Sequence, residues 1–286
     1  MKLKFQRLAA LDPNDPLADL VIDAAVFDAF GPAAFGLRSL DAESRVRDVL
    51  VACFDLEGFT VFSEQANPQL FVPAFVTDFL NWLITALKTA LLEDPPDRTL
   101  DGSGGTRSLK RLYGPLPFFG KYTGDGMLLL FDISAKTTRA SCASASKLDS
   151  RSEIQGDLWN IISSIYSVCH YGYSRVFVPR IRKRYAKIPP RLRCGMAFGQ
   201  VCSLGPGIDF VGPCINTASR LQKFNGLGFC VLKKGLLDTN NPSPPLADLF
   251  VTKKVEIRSI GEELVLVLKD ELAKLEPNDQ LLFKEP

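Results

Sequence analysis

The chain has 286 residues, 46% of them hydrophobic and 23% charged, with a formal net charge of +2. This composition is ordinary for a globular protein, and a net charge this close to zero gives no argument for a nucleic-acid or membrane partner. Seven cysteines without a Cys-x-x-Cys pair, and one histidine, argue against both a zinc site and a disulfide framework. We therefore expect buried free thiols and a reducing cytoplasmic location.

Neither a signal peptide nor a membrane span is predicted. The first residues lead into no long apolar segment. The best candidate for a membrane span, Leu70–Leu92, is interrupted by Asp78, Asn81 and Lys88. The expectation is a chain without a membrane segment.

The N-terminal third of the chain begins with an extension and continues into a strand and a long helix. Residues 1–47 are predicted to be the extension, with a short helix in the alanine-rich segment Leu17–Phe35. The apolar run Asp48–Phe54 predicts a buried strand. Helical spacing of apolar residues predicts a helix over Leu70–Leu92, and the glycine-rich segment Asp101–Gly105 predicts a surface loop.

The middle of the chain predicts a hairpin followed by an irregular region. Leu116–Tyr122 and Met127–Phe131 flank a glycine-bearing turn, which is typical of a β-hairpin. In the less regular region Ser134–Lys187, Leu158–Val168 has a helical pattern. The basic cluster Arg175–Lys187 is interpreted as a solvated helix end or loop, and a nucleic-acid contact is not expected.

The last third predicts the remaining strands and one helix: a strand at Arg193–Phe198, a hairpin continuing to Phe210, a helix at Ala218–Phe224, and short strands at Phe229–Leu232 and Leu264–Leu268. This order predicts an α/β (α+β) fold with a ferredoxin-like βαββαβ core and extra hairpins and helices. Residues 48–270 are predicted to form the catalytic domain and residues 271–286 a C-terminal tail.

Two aspartates in glycine-containing frames follow or precede apolar runs. Asp55 lies in Phe54–Thr60, and Asp125 lies in Lys121–Gly126. An aspartate at a strand end, followed by a glycine turn, can hold Mg²⁺ beside a phosphate. Further along, Asn216 and Arg220 are four residues apart, which places them on one face of a helix. Taken singly, these residues also suit a turn, a helix cap or a surface charge.

Together, these segments resemble the class III nucleotide cyclases over roughly Val49–Leu268. The resemblance implies that a nucleoside triphosphate is converted to its 3′,5′-cyclic monophosphate and pyrophosphate with two Mg²⁺ or Mn²⁺ ions. The site residues that it implies are Asp55, Asp125 and the carbonyl of Leu56 for metal; Gly58, Phe59, Thr60 and Arg193 for phosphates; Asn216 for the ribose; and Arg220 for the α-phosphate. Arg258 matches the family's late basic residue weakly.

The resemblance also implies a homodimer with composite sites. In this family one subunit supplies the two metal aspartates and the other supplies the base contacts, the asparagine and the arginine. This chain carries both sets, so two equivalent sites are expected in a head-to-tail homodimer.

Lys121 and Asp209 match the base-contacting pair of adenylate cyclases, and guanylate cyclases carry a glutamate and a cysteine there. Lys121 offers a hydrogen-bond donor and Asp209 an acceptor, which suits adenine. The same pair also suits uracil or cytosine if the smaller ring lies closer to the two side chains. Pro213-Cys214 and the aromatic residues Phe118, Phe119 and Tyr122 make the layout similar to the Pycsar pyrimidine cyclases of antiphage systems.

The favoured hypothesis is therefore a pyrimidine cyclase that makes cyclic UMP or cyclic CMP and acts through a cyclic-nucleotide-activated effector. An adenylate cyclase is the alternative within the family. Outside it, a catalytically silent nucleotide-binding module and a nucleic-acid-binding protein remain.

Overall fold

A computed structural model of the protein describes eleven segments of the chain: residues 5–8, 19–22, 46–64, 68–92, 98–102, 105–109, 112–133, 150–185, 187–204, 209–236 and 247–286. The chain divides into two compact units. The first comprises residues 1–46 and Cys202–Val211, and the second comprises Arg47–Val201 and Gly212–Pro286.

The described strands are β1 (Phe5–Leu8), β2 (Asp19–Ile22), β3 (Val46–Glu57), β4 (Arg98–Gly102), β5 (Gly105–Leu109), β6 (Phe119–Tyr122), β7 (Gly126–Asp132), β8 (Arg191–Leu204), β9 (Asp209–Val211), β10 (Phe229–Leu232), β11 (Phe250–Ile257) and β12 (Gly261–Leu268). The described α-helices are α1 (Phe59–Ser63), α2 (Pro68–Leu91), α3 (Ser150–Ser167), α4 (Val178–Ile181), α5 (Pro213–Leu221), α6 (Lys269–Leu272) and α7 (Pro277–Gln280). A π-helix, Val168–Phe177, connects α3 to α4.

The main sheet confirms the predicted fold class. Its strand order is β11-β12-β10-β8-β3-β7-β6, and β9 pairs with β8 beside this path. The four strands β8-β3-β7-β6, with α2 and α3 in the two crossovers, follow the chain as βαββαβ and have the ferredoxin-like order. β3 and β6 both pair antiparallel with β7, which lies between them.

Helix α2 covers the sheet with a stripe of apolar side chains at a spacing of four residues. Phe75, Phe79, Leu83, Leu87 and Leu91 are all buried in the core. Over Gln69–Leu91 this helix is nevertheless long and apolar enough, by length and composition, to cross a membrane. The absence of a membrane segment therefore stays a prediction.

The N-terminal helix predicted within Leu17–Phe35 is wrong for the part that the structure describes. Asp19–Ile22 is strand β2, paired antiparallel with β1. Val21 and Ile22 are β-branched residues that favour an extended chain, whereas the alanines that suggested a helix follow later and lie outside the described residues.

One other prediction is wrong, and the rest of the sequence prediction is incomplete. Asp101–Gly105 was expected to be a loop, but β4 and β5 form an antiparallel hairpin there, with Gly102 opposite Gly105. The strand β11 and the π-helix were not predicted. Helix α5 begins at Pro213 rather than at Ala218, because a proline suits the first turn of a helix.

The thiols are buried, as predicted, in most of the described positions. Cys53, Cys169, Cys194, Cys214 and Cys230 are buried and free, and Cys202 is free and half-buried. Cys142 lies outside the described residues.

Candidate active site

The two predicted metal aspartates lie side by side at one end of adjacent strands. Asp55 of β3 pairs in register with Gly126 of β7, so Asp125 directly precedes its partner position. The backbone amide of Leu56 donates to the carbonyl of Asp125 at 3.0 Å. The Asp55 side chain is buried and that of Asp125 is exposed. One carboxylate is thus fixed within the fold and the other faces solvent.

Glycine at position 126 is required by this close pairing. A Cβ atom there would lie 1.9 Å from the carbonyl oxygen of Phe54, which is main chain and cannot swing away. The glycine that frames Asp125 therefore keeps the two strand ends, and with them the two carboxylates, in contact.

Arg193 forms an ion pair with Asp55. Its Nε donates to Oδ2 of Asp55 at 2.8 Å, and Nη2 donates to the same oxygen. Burial raises the pKa of Asp55, the guanidinium of Arg193 opposes that rise, and the neighbouring Asp125 adds to it. Arg193 was expected to contact the terminal phosphates. Its guanidinium is bonded to the predicted metal ligand Asp55, and its contact with phosphates stays a prediction.

The turn after Asp55 leads directly into α1. Gly58 occupies the left-handed region at φ 75°, a conformation that favours glycine, and its carbonyl accepts from the amide of Phe62 at 3.1 Å. Gly58 and Thr60 are exposed, whereas the ring of Phe59 packs against those of Phe62 and Phe75. The segment predicted to hold phosphates is therefore an exposed backbone turn anchored by one aromatic side chain.

Asn216 and Arg220 lie on helix α5, as the four-residue spacing predicted. Asn216 is exposed, and Nη1 of the half-buried Arg220 donates to the carbonyl of Arg258. The helix sits very close to β8, since a Cβ on Gly195 would lie 2.2 Å from the carbonyl oxygen of Ala218. That contact fixes the position of α5 on the sheet.

The structure brings together Asp55, Leu56, Asp125 and Arg193, and it places Asn216 with Arg220. Among the described residues, no hydrogen bond or ion pair links the first set to the second.

The base-contacting pair lies on two strands. Lys121 is exposed on β6, opposite Leu128 of β7. Asp209 begins β9, in the other compact unit, and its Oδ1 accepts from the backbone amide of Phe210 at 2.9 Å.

The donor set at Asp55 suits a hard divalent cation. Two carboxylates and the carbonyl of Leu56 are oxygen ligands of the kind that Mg²⁺ and Mn²⁺ prefer. In the part of the chain that the structure describes, no group of three or more histidine, cysteine, aspartate or glutamate side chains is placed to hold a metal ion. A protein site of only two carboxylates fits Mg²⁺, which usually keeps several waters and binds substrate phosphates.

A further ion pair next to the site was not predicted from the sequence. Nε of Arg191 lies 3.3 Å from Oε2 of Glu57, two residues after Asp55. No short motif signals either this pair or the pair of Arg193 with Asp55, because the partners are more than 130 residues apart in the chain.

The sequence matches no protein-family model and no curated protein. The fold is similar to three solved cyclase structures. The first is a bacterial light-regulated adenylyl cyclase, at 12% identity and TM-score 0.43, covering 90% of this chain and 65% of that chain. This chain thus spans just under two thirds of that protein's length.

The second is the catalytic core of a rhodopsin-guanylyl cyclase with converted specificity, in complex with ATPαS, at 18% identity and TM-score 0.38. The third is an adenylate/guanylate cyclase/hydrolase from Silicibacter pomeroyi, at 16% identity and TM-score 0.39. Both alignments cover 79% of this chain and 98% of the other. At these identities and scores, the likeness by itself assigns neither an activity nor a substrate to this chain.

Proposed function

We propose that this protein is a nucleotide cyclase that converts a nucleoside triphosphate to its 3′,5′-cyclic monophosphate and pyrophosphate. The observation that carries the proposal is the apposition of Asp55 and Asp125, enforced by Gly126, with Arg193 beside them. Two acidic groups held together in this way, one of them buried, are poorly explained by folding alone because they repel each other. Arg193 offsets one of the two negative charges, and a divalent cation between the carboxylates would offset the rest.

The reaction needs in-line positioning of the ribose 3′ oxygen and neutralisation of charge on the triphosphate. Two Mg²⁺ or Mn²⁺ ions held by Asp55, Asp125 and the carbonyl of Leu56 would supply charge neutralisation and acidify the 3′ hydroxyl. The exposed turn at Gly58, Phe59 and Thr60 would hold phosphate oxygens.

The remaining polar side chains have separate tasks in this proposal. Arg193 would exchange its bond to Asp55 for the terminal phosphates when substrate enters. Asn216 would orient the ribose, and Arg220 would stabilise charge on the α-phosphate in the transition state. Because α5 lies against β8 at Gly195, both side chains have a fixed position relative to the sheet.

A homodimer with composite sites follows from the same assignment. Each site would take the aspartates from one subunit and helix α5 from the other, an arrangement that the sequence resemblance supports because this chain carries both sets of residues. Cytoplasmic location is part of the proposal, since the substrate is a cellular nucleotide.

The favoured substrate is UTP or CTP, with an antiphage role of the Pycsar type and a separate effector that binds the cyclic product. Lys121 and Asp209 support recognition of a base that presents one donor and one acceptor, and ATP is the alternative substrate. The pyrimidine assignment rests on the sequence around these two residues, with Pro213-Cys214 and the aromatic residues beside Lys121.

The test is to incubate the purified protein with ATP, GTP, CTP or UTP and Mn²⁺, and to resolve the cyclic products by mass. Asp125→Asn should abolish product, whereas Asp132→Asn, at the other end of β7, should leave most of it. Formation of cyclic UMP or cyclic CMP would support the pyrimidine assignment. Formation of cyclic AMP would contradict it and support an adenylate cyclase. Absence of product from all four nucleotides would contradict the cyclase proposal.

A further inference from the structure

A cavity that the proposed reaction does not use lies beside residues Gly58–Thr60, the catalytic turn of the proposed site. It has a volume of about 450 Å³ and lies between the π-helix, the start of β8 and the C-terminal helices. Its lining includes His170, Arg191, Phe229, Glu271, Lys274 and Leu275. The volume is in the range of small-molecule sites. Half of the lining residues are polar or charged, which favours a ligand with hydrogen-bonding groups.

The π-helix shapes one wall of this cavity. Its residues Cys169, His170, Tyr173 and Ser174 all line the space. π-helical geometry is rare and occurs frequently at functional sites, because it turns side chains toward positions that an α-helix would not offer. The ring of His170 is held there by stacking on Tyr166, with centroids 5.2 Å apart.

Glu271 provides a hydrogen-bond acceptor inside the cavity. Its Oε2 accepts from the backbone amides of Gly228 and Phe229, at 2.9 and 3.2 Å. Among the described residues, its Oε1 accepts no hydrogen bond. Burial raises the pKa of Glu271, and a ligand that donates to Oε1 would stabilise the charged form of the carboxylate.

The other charges of the cavity disfavour an anionic ligand. Arg191 is occupied by Glu57, at 3.3 Å, and by the carbonyl of Gly226, at 2.7 Å. Glu276 and Asp279 add two further acidic groups to the lining, against Lys274 and His170. An anion would meet three carboxylates, whereas a cation with N–H donors would meet the open oxygen of Glu271.

The cavity is physically connected to the catalytic turn. Arg191 lines the cavity and forms its ion pair with Glu57, which follows Asp55 and Leu56 in β3. Pro190, also part of the lining, lies with its Cδ 3.5 Å from the position of a Cβ on Gly58. Two residues beyond Arg191, Arg193 binds Asp55.

We propose that this cavity binds a small organic cation of the amine or amidine class through Glu271, and that its occupancy regulates the catalytic turn through Arg191 and Pro190. The binding stands independently of the reaction, whereas the regulation rests on the proposed cyclase function.

Since His170 is the single histidine of the chain, its ring protons give one pair of NMR signals that report on the cavity. Benzamidine is the cationic probe, and benzoate, of the same shape and opposite charge, is its matched control. Benzamidine should shift the His170 signals saturably, and benzoate should not. Binding should weaken about tenfold or more in Glu271→Gln, which loses a charge-assisted hydrogen bond.

A second variant, Ser174→Trp, fills the cavity from an exposed position and should abolish the shift without unfolding the protein. No saturable shift with benzamidine, an equal shift with benzoate, or unchanged affinity in both variants would overturn the binding. A saturable shift with no change in the rate of cyclic-nucleotide formation would overturn the regulation alone. If the chain forms no cyclic product at all, the NMR titration still decides the binding.

Discussion

Arg193 has two roles in this account, as the partner of a buried carboxylate and as a phosphate ligand. Replacing it by glutamine leaves Asp55 buried without its cation, and we expect the free energy of unfolding at pH 7 to fall by roughly 3 kcal/mol. The pKa of Asp55, already raised by burial, should rise further in this variant. The carboxyl group of Asp55 then binds its proton more tightly in the folded state than in the unfolded state. The variant should therefore regain stability as the pH falls through the folded pKa of Asp55 toward 3.8, the ordinary value.

Urea unfolding at pH 7 and pH 5 measures this effect. Arg184→Gln is the matched control, since Arg184 forms an ion pair with Asp78 at 2.7 Å but is 63% exposed. The control should lose less than about 1 kcal/mol. Equal losses in the two variants would contradict the role of Arg193 as partner of a buried charge.

Gly126 is the residue on which the pairing of the two aspartates depends. Gly126→Ala would place a methyl group 1.9 Å from the carbonyl oxygen of Phe54, so we expect a loss of at least about 2 kcal/mol of stability together with loss of metal binding. Gly156→Ala is the control, because Gly156 lies in α3 with open space around it. That variant should gain up to about 1 kcal/mol, since alanine favours helix more than glycine does.

Chemical denaturation of both variants, with Mn²⁺ titration of each, gives the two readouts. Stability of Gly126→Ala equal to that of the unchanged protein would show that the strands separate without strain.

At the scale of elements, helix α5 positions two of the proposed catalytic side chains. Gly195→Ala would bring a methyl group within 2.2 Å of the carbonyl oxygen of Ala218 and should push α5 off β8. Gly199→Ala meets only the Cys214 side chain, at 2.9 Å, and should be better tolerated. We expect the rate of cyclisation to fall more in the first variant than in the second, measured at saturating substrate. The reverse order would contradict the clamping of α5 by Gly195.

Glu271 joins helix α6 to the start of β10, and burial raises its pKa. A carboxyl group whose pKa is raised in the folded state contributes most to stability at acidic pH. The contribution of Glu271 is therefore lost as the pH rises from 4.5, the ordinary value, through its folded pKa. Glu271→Gln has no such titration and should show a flatter dependence of stability on pH in that range. Thermal unfolding between pH 4 and pH 7 measures both proteins; parallel curves would contradict a raised pKa.

Elements with strong periodicity were predicted from the sequence, and elements defined by distant contacts were not. The apolar spacing of Phe75, Phe79 and Leu83 predicts α2 directly, and the glycine turn before β7 predicts its hairpin. The π-helical geometry of Val168–Phe177 depends on how the segment packs in the fold, and no local sequence pattern predicts it. In β11, Val251, Val255 and Ile257 are β-branched residues on one face of the strand, which is a local signal for an extended chain.

At the scale of the whole molecule, the sequence predicted candidate site residues but not the contacts that these residues make. Asp55, Asp125, Asn216 and Arg220 follow from motifs, whereas the pairing of Arg193 with Asp55 depends on β8 lying next to β3 in the sheet. Strand order of this kind is set by the global packing of the chain. For the same reason the cavity at Glu271 has no signature in the sequence.

The composite homodimer is the central claim at this scale, and mixing two inactive variants tests it most directly. Asp55→Ala removes a metal ligand and Arg220→Ala removes the transition-state cation, so each protein alone should form no cyclic product. In a head-to-tail dimer, equal amounts of the two should recover about a quarter of the activity of the unchanged protein, because half of the dimers are mixed and each mixed dimer holds one intact site. No recovery after subunit exchange, shown by mass to have occurred, would contradict sites shared between two subunits.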